Sequence, residues 1–387
     1  MAFVRHGHGP RAAVGALASQ VHPVFMLPPL AVAAFGAVLA GRFSPLPGAL
    51  QLAAVFLGVY TAHVKDGYVD FYGRGEDDDH PLSARGCRRL LAATVVGFLA
   101  VTAALAVVVD ATAALLVLPG LAIGYLHAPQ LDTTPVTATM GYPAGIALAL
   151  LGGYYVQAGT LTPRVLAIAA VFLVALSGVK VVDDAKDVQF DRSIGKRTVA
   201  VAIGPEPARA GANWLFGAAL FAVLALAVEG VLPPSATLGA GAFGLVAVVA
   251  TRAPPRLATM LLVRGSYVFL AGLVAAVWFH PLAGRALPDL SVLGPYTYLV
   301  SEAGFGVVAL GLLHRANAWR AAAVTVALVY PVGYLWDWYS LSVGIFAIPL
   351  RTGVTLLGIP LEEHLFLLVV PAFVIGVHEL RRASTDG

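Results

Sequence analysis

Charge is scarce in this sequence. Asp, Glu, Lys and Arg together make up 12% of the 387 residues, whereas a soluble domain is usually about 25% charged. The 24 basic residues exceed the 21 acidic ones by only three, so the composition provides no strongly basic surface for nucleic acid. The composition therefore argues against a soluble protein and against a nucleic-acid partner.

Cysteine is nearly absent. Cys87 is the single cysteine, which excludes a disulfide within the chain and a metal site built from several cysteines. We interpret Cys87 as an incidental thiol. Any metal site must therefore use oxygen or nitrogen ligands.

Apolar residues are abundant instead: 59% of the chain is hydrophobic and the mean hydropathy is +0.84. Apolar runs near the ~20 residues that a helix needs to cross a bilayer recur along the chain. They do not alternate with a period of two residues, as the strands of a membrane barrel do. The sequence predicts an all-α polytopic membrane protein with about twelve helices, near residues 22–41, 49–64, 90–109, 111–127, 140–158, 164–182, 213–231, 235–251, 257–280, 294–313, 320–336 and 361–380.

The first apolar run follows Arg5, His6, His8 and Arg11 and has no small-residue cleavage site after it. It is therefore predicted to be a retained span, not a signal peptide. If the N-terminus lies in the cytoplasm, most basic residues fall in cytoplasmic loops, as the positive-inside rule requires. The pattern predicts a multi-pass protein of the cell membrane with both termini in the cytoplasm.

A domain boundary is predicted in "HPLAGRALPDLSVLGP", residues 280–295, which is rich in Pro and Gly. It divides the chain into a domain of about nine helices, residues 1–285, and one of about three helices, residues 290–387.

Ten of the 21 acidic residues lie in two loops that the predicted topology places on the same side. Asp66 and Asp70 are four residues apart in one loop. Asp183, Asp187 and Asp191 are spaced by four in the other, so each set would share one helix face if the helices continue. The remaining five acids of these loops are Glu76, Asp77, Asp78, Asp79 and Asp184.

Like charges on one helix face repel and need a compensating cation. Carboxylate oxygens suit Mg²⁺, which commonly combines one or two carboxylates with substrate phosphates. Lys196 and Arg197 follow the second loop and can contact phosphate oxygens. The chemistry indicated is ionisation of an allylic diphosphate, followed by attack of a carbon nucleophile on the allylic cation.

The segments "KDGYVD" (65–70) and "DDAKDVQFDRSIGKRT" (183–198) resemble the paired aspartate motifs of the UbiA family of membrane prenyltransferases. The resemblance covers about residues 10–280 and implies nine helices. It implies Mg²⁺–diphosphate ligands and diphosphate contacts at the following residues: Asp66, Asp70, Asp183, Asp187 and Asp191 for the metal, Lys196 and Arg197 for the diphosphate. Three positions depart from the family pattern: Lys65 stands where the first motif commonly has Asn, Arg74 where an acid is expected, and Asp132 where many members have a basic residue.

Other polar residues near these motifs are expected to have ordinary roles. The run from Glu76 to Asp79 is interpreted as a solvated loop. Asp184 lies off the face shared by the other aspartates and is expected to support them. His63 and His127 are expected to be capping or packing residues.

The last hundred residues contain acids within apolar runs: Glu302, Asp337, Glu362 and Glu363. Acidic residues at membrane depth are costly and usually functional. Burial keeps a carboxylic acid protonated, and a buried proton donor suits protonation of an alkene.

The segments "YLVSE", "WDWYSLSVGIFAI" and "PLEEHLF" resemble the small membrane type of lycopene cyclase domain, over about residues 294–381. The resemblance implies Glu362 and Glu363 as a catalytic acid pair. Active cyclases of this type use two three-helix units and this chain has one, so a structural unit, or one that requires a second cyclase subunit, is the alternative.

Three functions are consistent with these patterns. The first is a lycopene elongase that transfers a dimethylallyl group to lycopene or a related carotenoid, with the cyclase-like domain processing the end group. The second is a prenyltransferase for a quinone precursor or polar lipid, with an accessory C-terminal domain. The third makes that domain a carotenoid-binding or docking module for a partner carrying the other half of a cyclase.

Overall fold

The computed structural model describes residues 3–283 and 290–385, and this part of the chain is mostly helical. Fifteen α-helices are present in the described residues: α1 Gly9–Ala18, α2 Pro23–Leu39, α3 Pro45–Val69, α4 Ala84–Val108, α5 Ala111–Leu126, α6 Pro135–Ala158, α7 Pro163–Asp184, α8 Val188–Ser193, α9 Val199–Ile203, α10 Pro205–Val228, α11 Ala236–Ala250, α12 Pro255–Phe279, α13 Thr297–Ala316, α14 Trp319–Ser342 and α15 Leu361–Thr385. The protein is an all-α polytopic membrane protein.

Each of the twelve predicted runs corresponds to one helix, α2–α7 or α10–α15. By length and composition, however, only eight helices of the described chain could cross a membrane, or nine if α1 and α2, bent by 66°, form one broken span. All twelve predicted helices are therefore present, but not all of them are long and apolar enough to count as full spans. Helices α5 and α11 have only 16 and 15 residues, which is short of the ~20 needed.

Proline determines where many helices begin. The first residue of α2, α3, α6, α7, α10 and α12 is proline. Proline suits this position because its fixed φ matches the helix and its missing N–H has no partner to lose there. The predicted starts of α3 and α10 are several residues late, because the apolar runs begin after these prolines.

The chain divides into two compact units, Met1–Gly284 and Arg285–Gly387. Residues 284–289 of the predicted linker lie outside the described residues. In the first unit α2 packs against α6, α6 against α7, and α3 against both α4 and α5. Its core contains a row of phenylalanine rings in successive contact, Phe35, Phe172, Phe269, Phe243 and Phe216.

Small residues allow α2 and α6 to approach closely. A Cβ added to Gly36 would overlap the carbonyl oxygen of Leu150 and lie 2.7 Å from the backbone nitrogen of Tyr154. Such close backbone contact is typical of membrane helices, whose association depends on packing because lipid provides no hydrophobic driving force.

In the second unit α15 packs against α13 and α14. A two-stranded hairpin, β1 Thr355–Leu356 and β2 Ile359–Pro360, precedes α15. Its turn residues Leu357 and Gly358 both have positive φ, 52° and 87°, as a tight hairpin turn requires. The hairpin brings the chain directly into the acidic start of α15.

Candidate active site

A cavity of about 390 Å³ in the first unit joins the two acidic loops. It is lined by all five aspartates predicted as metal ligands and by Lys196: Asp66, Asp70, Asp183, Asp187, Asp191 and Lys196. His63 and His127 also line it, and the Nδ1 of His63 lies 3.3 Å from the carbonyl oxygen of Gln20. The fold therefore brings together loops that are more than a hundred residues apart.

The first loop enters the cavity through a widened helical turn. Helix α3 continues into a π-helical turn, Asp70–Arg74, which ends at Gly75 with a φ of 67°. This reversal allows the backbone N–H of Glu76 to donate to the carbonyl oxygen of Asp70 over 2.8 Å. As a result the side chains of Arg74 and Glu76 both line the cavity.

The position of Glu76 differs from the one predicted from the sequence. The sequence predicts a solvated loop from Glu76 to Asp79, and Asp77, Asp78 and Asp79 are indeed exposed. Glu76 is instead partly buried and lies against Asp70. The positive φ at Gly75 turns Glu76 back towards the cavity.

The second acidic loop is not one continuous helix, so the expectation of a single helix face for its aspartates is wrong. Helix α7 ends at Asp184, and α8 starts again at Val188. Between them the backbone N–H of Lys186 donates to the carbonyl oxygen of Asp183, and that of Asp187 donates to Asp184, which tightens the chain into a turn. Asp183, Asp187 and Asp191 reach the same cavity across this break.

Basic residues alternate with these aspartates and balance part of their charge. Lys180 forms ion pairs with Asp184 and, at 3.4 Å, with Asp183. Lys186 pairs with Asp183 and, at 2.9 Å, with Asp187. Lys180 is a site residue that was not predicted from the sequence, although it lies three and four residues before two aspartates, a spacing that permits ion pairs on a helix.

Asp184 is buried and does not line the cavity. Besides its contact with Lys180, it lies 3.5 Å from the hydroxyl of Thr139. Asp184 therefore holds the side chain of Lys180 in place.

Arg74 and Asp132, two of the positions that depart from the UbiA pattern, contact each other. The Nη2 of Arg74 lies 2.5 Å from Asp132 Oδ2, and its Nη1 lies 3.4 Å from Asp70 Oδ1. The carbonyl oxygen of Asp132 accepts a hydrogen bond from the backbone of Arg197 over 2.8 Å. The guanidinium thus joins the end of α3 to the segment that follows α5. Arg74 replaces an expected acid and Asp132 replaces a common base, so the two departures together still place one positive and one negative side chain in contact.

Arg197 does not occupy the position predicted for it. Its side chain is exposed and does not line the cavity, whereas the neighbouring Lys196 does and lies 3.8 Å from Asp191. The lysine and arginine side chains that line the cavity among the described residues are Arg74, Lys180 and Lys196.

In the second acidic loop, two ionisable groups that lie outside the spans have shifted pKa values. Burial raises the pKa of Asp191, and the nearby Lys196 offsets only part of this shift. Burial alone would lower the pKa of Lys186, but its hydrogen bond and charge interaction with Asp183 outweigh burial and raise it. A cation bound beside Asp191 would stabilise the charged form of its carboxyl group.

The cavity fits a metal ion that also binds a substrate. Among the described residues, no three His, Cys, Asp or Glu side chains lie close enough to hold a metal by themselves. However, seven acidic side chains and three basic ones line the described part of the cavity. Within the same residues, Asp191 Oδ2 and Glu76 Oε1 are buried without a hydrogen-bond partner. Such spare oxygens suit Mg²⁺, which usually completes its shell with substrate phosphates.

A second group of carboxyl side chains is buried in the second unit. The two predicted catalytic residues, Glu362 and Glu363, have different partners there. Glu362 is fully buried, and its Oε1 accepts hydrogen bonds from the backbone N–H and the hydroxyl of Thr352, both over 2.6 Å. Glu363 instead interacts with Tyr298 and Asp337. Glu362 thus supports the loop before the hairpin, whereas Glu363 belongs to a cluster of acids.

The acid cluster is completed by Glu302, which is 6% exposed. Glu302 Oε2 and Asp337 Oδ2 are both buried without a hydrogen-bond partner in the described residues. Three carboxyls near one tyrosine cannot all be charged at low cost in an apolar environment.

No protein-family profile matches the sequence, and no curated protein matches it significantly. Solved structures do match. A UbiA homologue from Aeropyrum pernix K1 has a TM-score of 0.56 at 20% identity, and the match covers 66% of this chain and 98% of that one. This chain has the UbiA fold.

Two other solved structures match over a similar share of the chain. A digeranylgeranylglyceryl phosphate synthase has a TM-score of 0.52 at 14% identity, covering 65% of this chain and 97% of its own. A homologue from Archaeoglobus fulgidus bound to Cd²⁺ has a TM-score of 0.51 at 20% identity, covering 66% and 96%. At these identities the likeness shows the UbiA fold alone.

Proposed function

We propose that this chain is a Mg²⁺-dependent membrane prenyltransferase of the UbiA family, which transfers a dimethylallyl group from its diphosphate to lycopene or a related carotenoid. The observation that carries this proposal is the cavity itself, which gathers seven carboxylates and three cations at one place in a UbiA fold. The Archaeoglobus homologue with bound Cd²⁺ supports it, because that protein also takes a divalent cation.

Each part of the cavity then has a role. Asp66, Asp70, Asp183, Asp187 and Asp191 would hold Mg²⁺, which supplies positive charge to the departing diphosphate when it is bound. Lys196 lines the same cavity and contacts the diphosphate oxygens. Lys180 holds Asp183 and Asp184 in position. Arg197 has no role in this site.

The reaction breaks the bond between the allylic carbon and the diphosphate oxygen, and the electron pair leaves with the diphosphate. The π electrons of the terminal alkene of the acceptor then form the new carbon–carbon bond. This leaves a cation on the acceptor, which loses a proton, adds water or cyclises. The apolar part of the cavity wall, including Phe98 and Val117, keeps water from the allylic cation before transfer.

The second unit is proposed to act on the carotenoid end group. Glu363 is the better candidate for proton transfer, because it lies with Asp337 and Tyr298, whereas the hydrogen bonds of Glu362 hold a loop. A second cyclase subunit is a candidate partner for this unit. The positive-inside pattern supports a cytoplasmic aspartate cavity and cytoplasmic termini.

A polar lipid is the second candidate acceptor. The digeranylgeranylglyceryl phosphate synthase among the similar structures favours it, since that protein is named for a lipid phosphate product. In this alternative the second unit is a carotenoid-binding or docking module without catalysis.

The test is pigment analysis in lycopene-producing cells that also supply dimethylallyl diphosphate. Expression of the chain should yield carotenoids five or ten carbons longer than lycopene, and the Asp187→Asn variant should yield none. Removing Mg²⁺ with a chelator from a membrane preparation should stop the reaction, and adding it back should restore it. Unchanged lycopene with a working donor supply contradicts the carotenoid acceptor and favours the lipid alternative, which radiolabelled donor and membrane lipids would then test.

A further inference from the structure

Three histidines lie at or beside the aspartate cavity of the first unit, and the proposed chemistry assigns no role to them. His63 on α3 and His127 at the end of α5 both line the cavity. The ring of His22, just before α2, packs against the ring of His63 with 4.9 Å between the ring centroids. Two of the three rings therefore border the space in which the proposed reaction takes place.

A hydrogen bond fixes which nitrogen of His63 carries the hydrogen. Nδ1 lies 3.3 Å from the backbone carbonyl oxygen of Gln20. Because a carbonyl oxygen can only accept, Nδ1 is the donor, and in a neutral imidazole the other nitrogen, Nε2, keeps its lone pair. Nε2 has no hydrogen-bond partner within residues 3–283 and 290–385. His63 thus brings a free basic nitrogen to the cavity wall.

His63 stands on α3 between the apolar part of the cavity and the aspartates. The α3 residues Val59, His63, Asp66 and Asp70 all line the cavity, and their spacing of four, three and four places them on one helix face. His63 precedes Asp66 by three residues, or about 4.5 Å along the helix at 1.5 Å per residue. In the turn before His63, the α3 residues that line the cavity, Val59 and Ala62, are apolar. His63 therefore lies where the apolar wall meets the carboxylates.

The position of His63 matches the place where the proposed reaction must release a proton. Attack by an alkene leaves the positive charge on the acceptor carbon next to the new bond. The proton that leaves is bound to a neighbour of that carbon, no more than about three bonds of ~1.5 Å from the transferred carbon. The diphosphate holds the transferred carbon at the aspartates, so the base must lie just on their apolar side. Those carboxylates are the proposed metal ligands, which leaves His63 as the nearest free base on this face of α3.

We propose that His63 accepts the proton that the acceptor cation loses after prenyl transfer. A C–H bond beside the cationic carbon breaks, its electron pair forms the new C=C bond, and the proton binds Nε2. The positive charge thus passes from carbon to the imidazole, and no oxidant, reductant or other reactant is needed. Asp66 lies near enough to stabilise the imidazolium until it releases the proton to water. This inference rests on the proposed function and adds a catalytic residue for its last step.

The distribution of products tests this assignment. In a Glu363→Gln background the second unit should not process the end group, so elongated carotenoids that end in an alkene should accumulate. Adding His63→Gln keeps a side chain that can donate to the Gln20 carbonyl but cannot take up the proton. The ratio of alkene-ended to hydrated products should then fall by about tenfold or more, because water captures the cation instead. Chromatography with mass detection measures this ratio.

His127→Gln in the same background is the matched comparison, because it changes the other histidine of the cavity wall, and it should keep the parent ratio. In His63→Ala, imidazole added to the membranes should restore the alkene-ended product, which a purely structural role of His63 does not predict. Diphosphate release from dimethylallyl diphosphate is measured in parallel. If this release is lost together with the product, His63 supports the metal site and the assignment is wrong.

An unchanged ratio in a folded His63→Gln protein overturns the assignment and leaves the departing diphosphate as the base. A changed ratio with His127→Gln alone transfers the role to that residue and also overturns it. If the parent forms no elongated carotenoid from lycopene, the proposed function fails and this step fails with it. If the parent elongates lycopene and the His63 variants match it, only the proton acceptor is wrong.

Discussion

Arg74 places a buried positive charge between two acidic side chains, Asp70 and Asp132. Its guanidinium is mostly buried, with side-chain exposure of 13%, and so is Asp132, at 8%. Neutralising one partner of such a pair leaves the other charge buried and uncompensated. The pair therefore fixes the segment after α5 to the end of α3 only while both residues are present.

A double-mutant cycle can measure this coupling. Arg74→Ala and Asp132→Ala should each destabilise the protein, and the double variant should be less destabilised than the sum. We expect a coupling free energy of about 0.5–3 kcal/mol, measured by chemical unfolding in detergent. Strict additivity of the two single variants would show that the ion pair contributes nothing to stability.

Asp191 is buried and has one oxygen without a hydrogen-bond partner in the described residues. Asp191→Asn keeps the size of the side chain but removes the charge that would bind Mg²⁺. We expect prenyl transfer to fall by at least about 10–100-fold and the Mg²⁺ concentration needed for half-maximal rate to rise. Asp77→Asn, at an exposed position of the first loop, is the control and should retain its rate; a similar loss in both variants would contradict a specific role.

The contact between α2 and α6 depends on a single missing side chain at Gly36. The hydrogen of glycine lets the α2 backbone rest on that of α6, where a Cβ would overlap the carbonyl oxygen of Leu150. Both helices also contribute residues that line the aspartate cavity. A small change in their separation should therefore affect both stability and the shape of that cavity.

Gly36→Ala tests this contact. We expect a loss of about 1–3 kcal/mol in the free energy of unfolding, because the added methyl group overpacks a tight interface. Gly217→Ala on α10 is the matched control, since a Cβ added there would have no neighbouring atom within 4 Å. Alanine at that position should be neutral or stabilise the helix by about 0.5–1 kcal/mol. Equal thermal stability of the two variants would show that α2 and α6 can separate at little cost.

Across the whole chain, two units each contain their own group of buried acids. In the first unit cations are interleaved with the aspartates. In the second, Glu363 and Asp337 lie together and Glu302 is buried nearby along α13, with tyrosine as the polar neighbour. The first arrangement suits metal and phosphate, and the second suits proton transfer. This difference is consistent with the separate roles proposed for the two units.

Separate substitutions should separate the two reactions. Glu363→Gln should remove cyclic or hydrated products while elongated carotenoids still form, and Asp187→Asn should remove both. Glu362→Gln should have the smaller effect, because glutamine can still accept the hydrogen bonds from Thr352. The control is Glu379→Gln, near the end of α15 beside His378. Product profiles by chromatography decide the outcome, and loss of elongation with Glu363→Gln would contradict separate chemistry.

The sequence by itself determined the class of protein and the positions of the helices. Apolar runs and helix-starting prolines act locally, so twelve helices could be placed without any tertiary information. It also indicated which two loops carry the acids, since clustered like charges in a chain with so few charges require compensation. Exact span lengths were less predictable, because α5 and α11 end short of a full crossing.

Only the tertiary structure decided which charges face each other. The turn after Asp184 broke the expected helix face, and the positive φ at Gly75 brought Glu76 into the cavity. The pairing of Arg74 with Asp132 joins positions 58 residues apart, and only the folded backbone shows that the side chain of Lys196, and not that of Arg197, lines the cavity. Electrostatic contacts act through space, and which charges meet depends on the backbone geometry of a few residues. Hydrophobic periodicity is a property of neighbouring positions along the chain, so it can be recognised from the sequence alone.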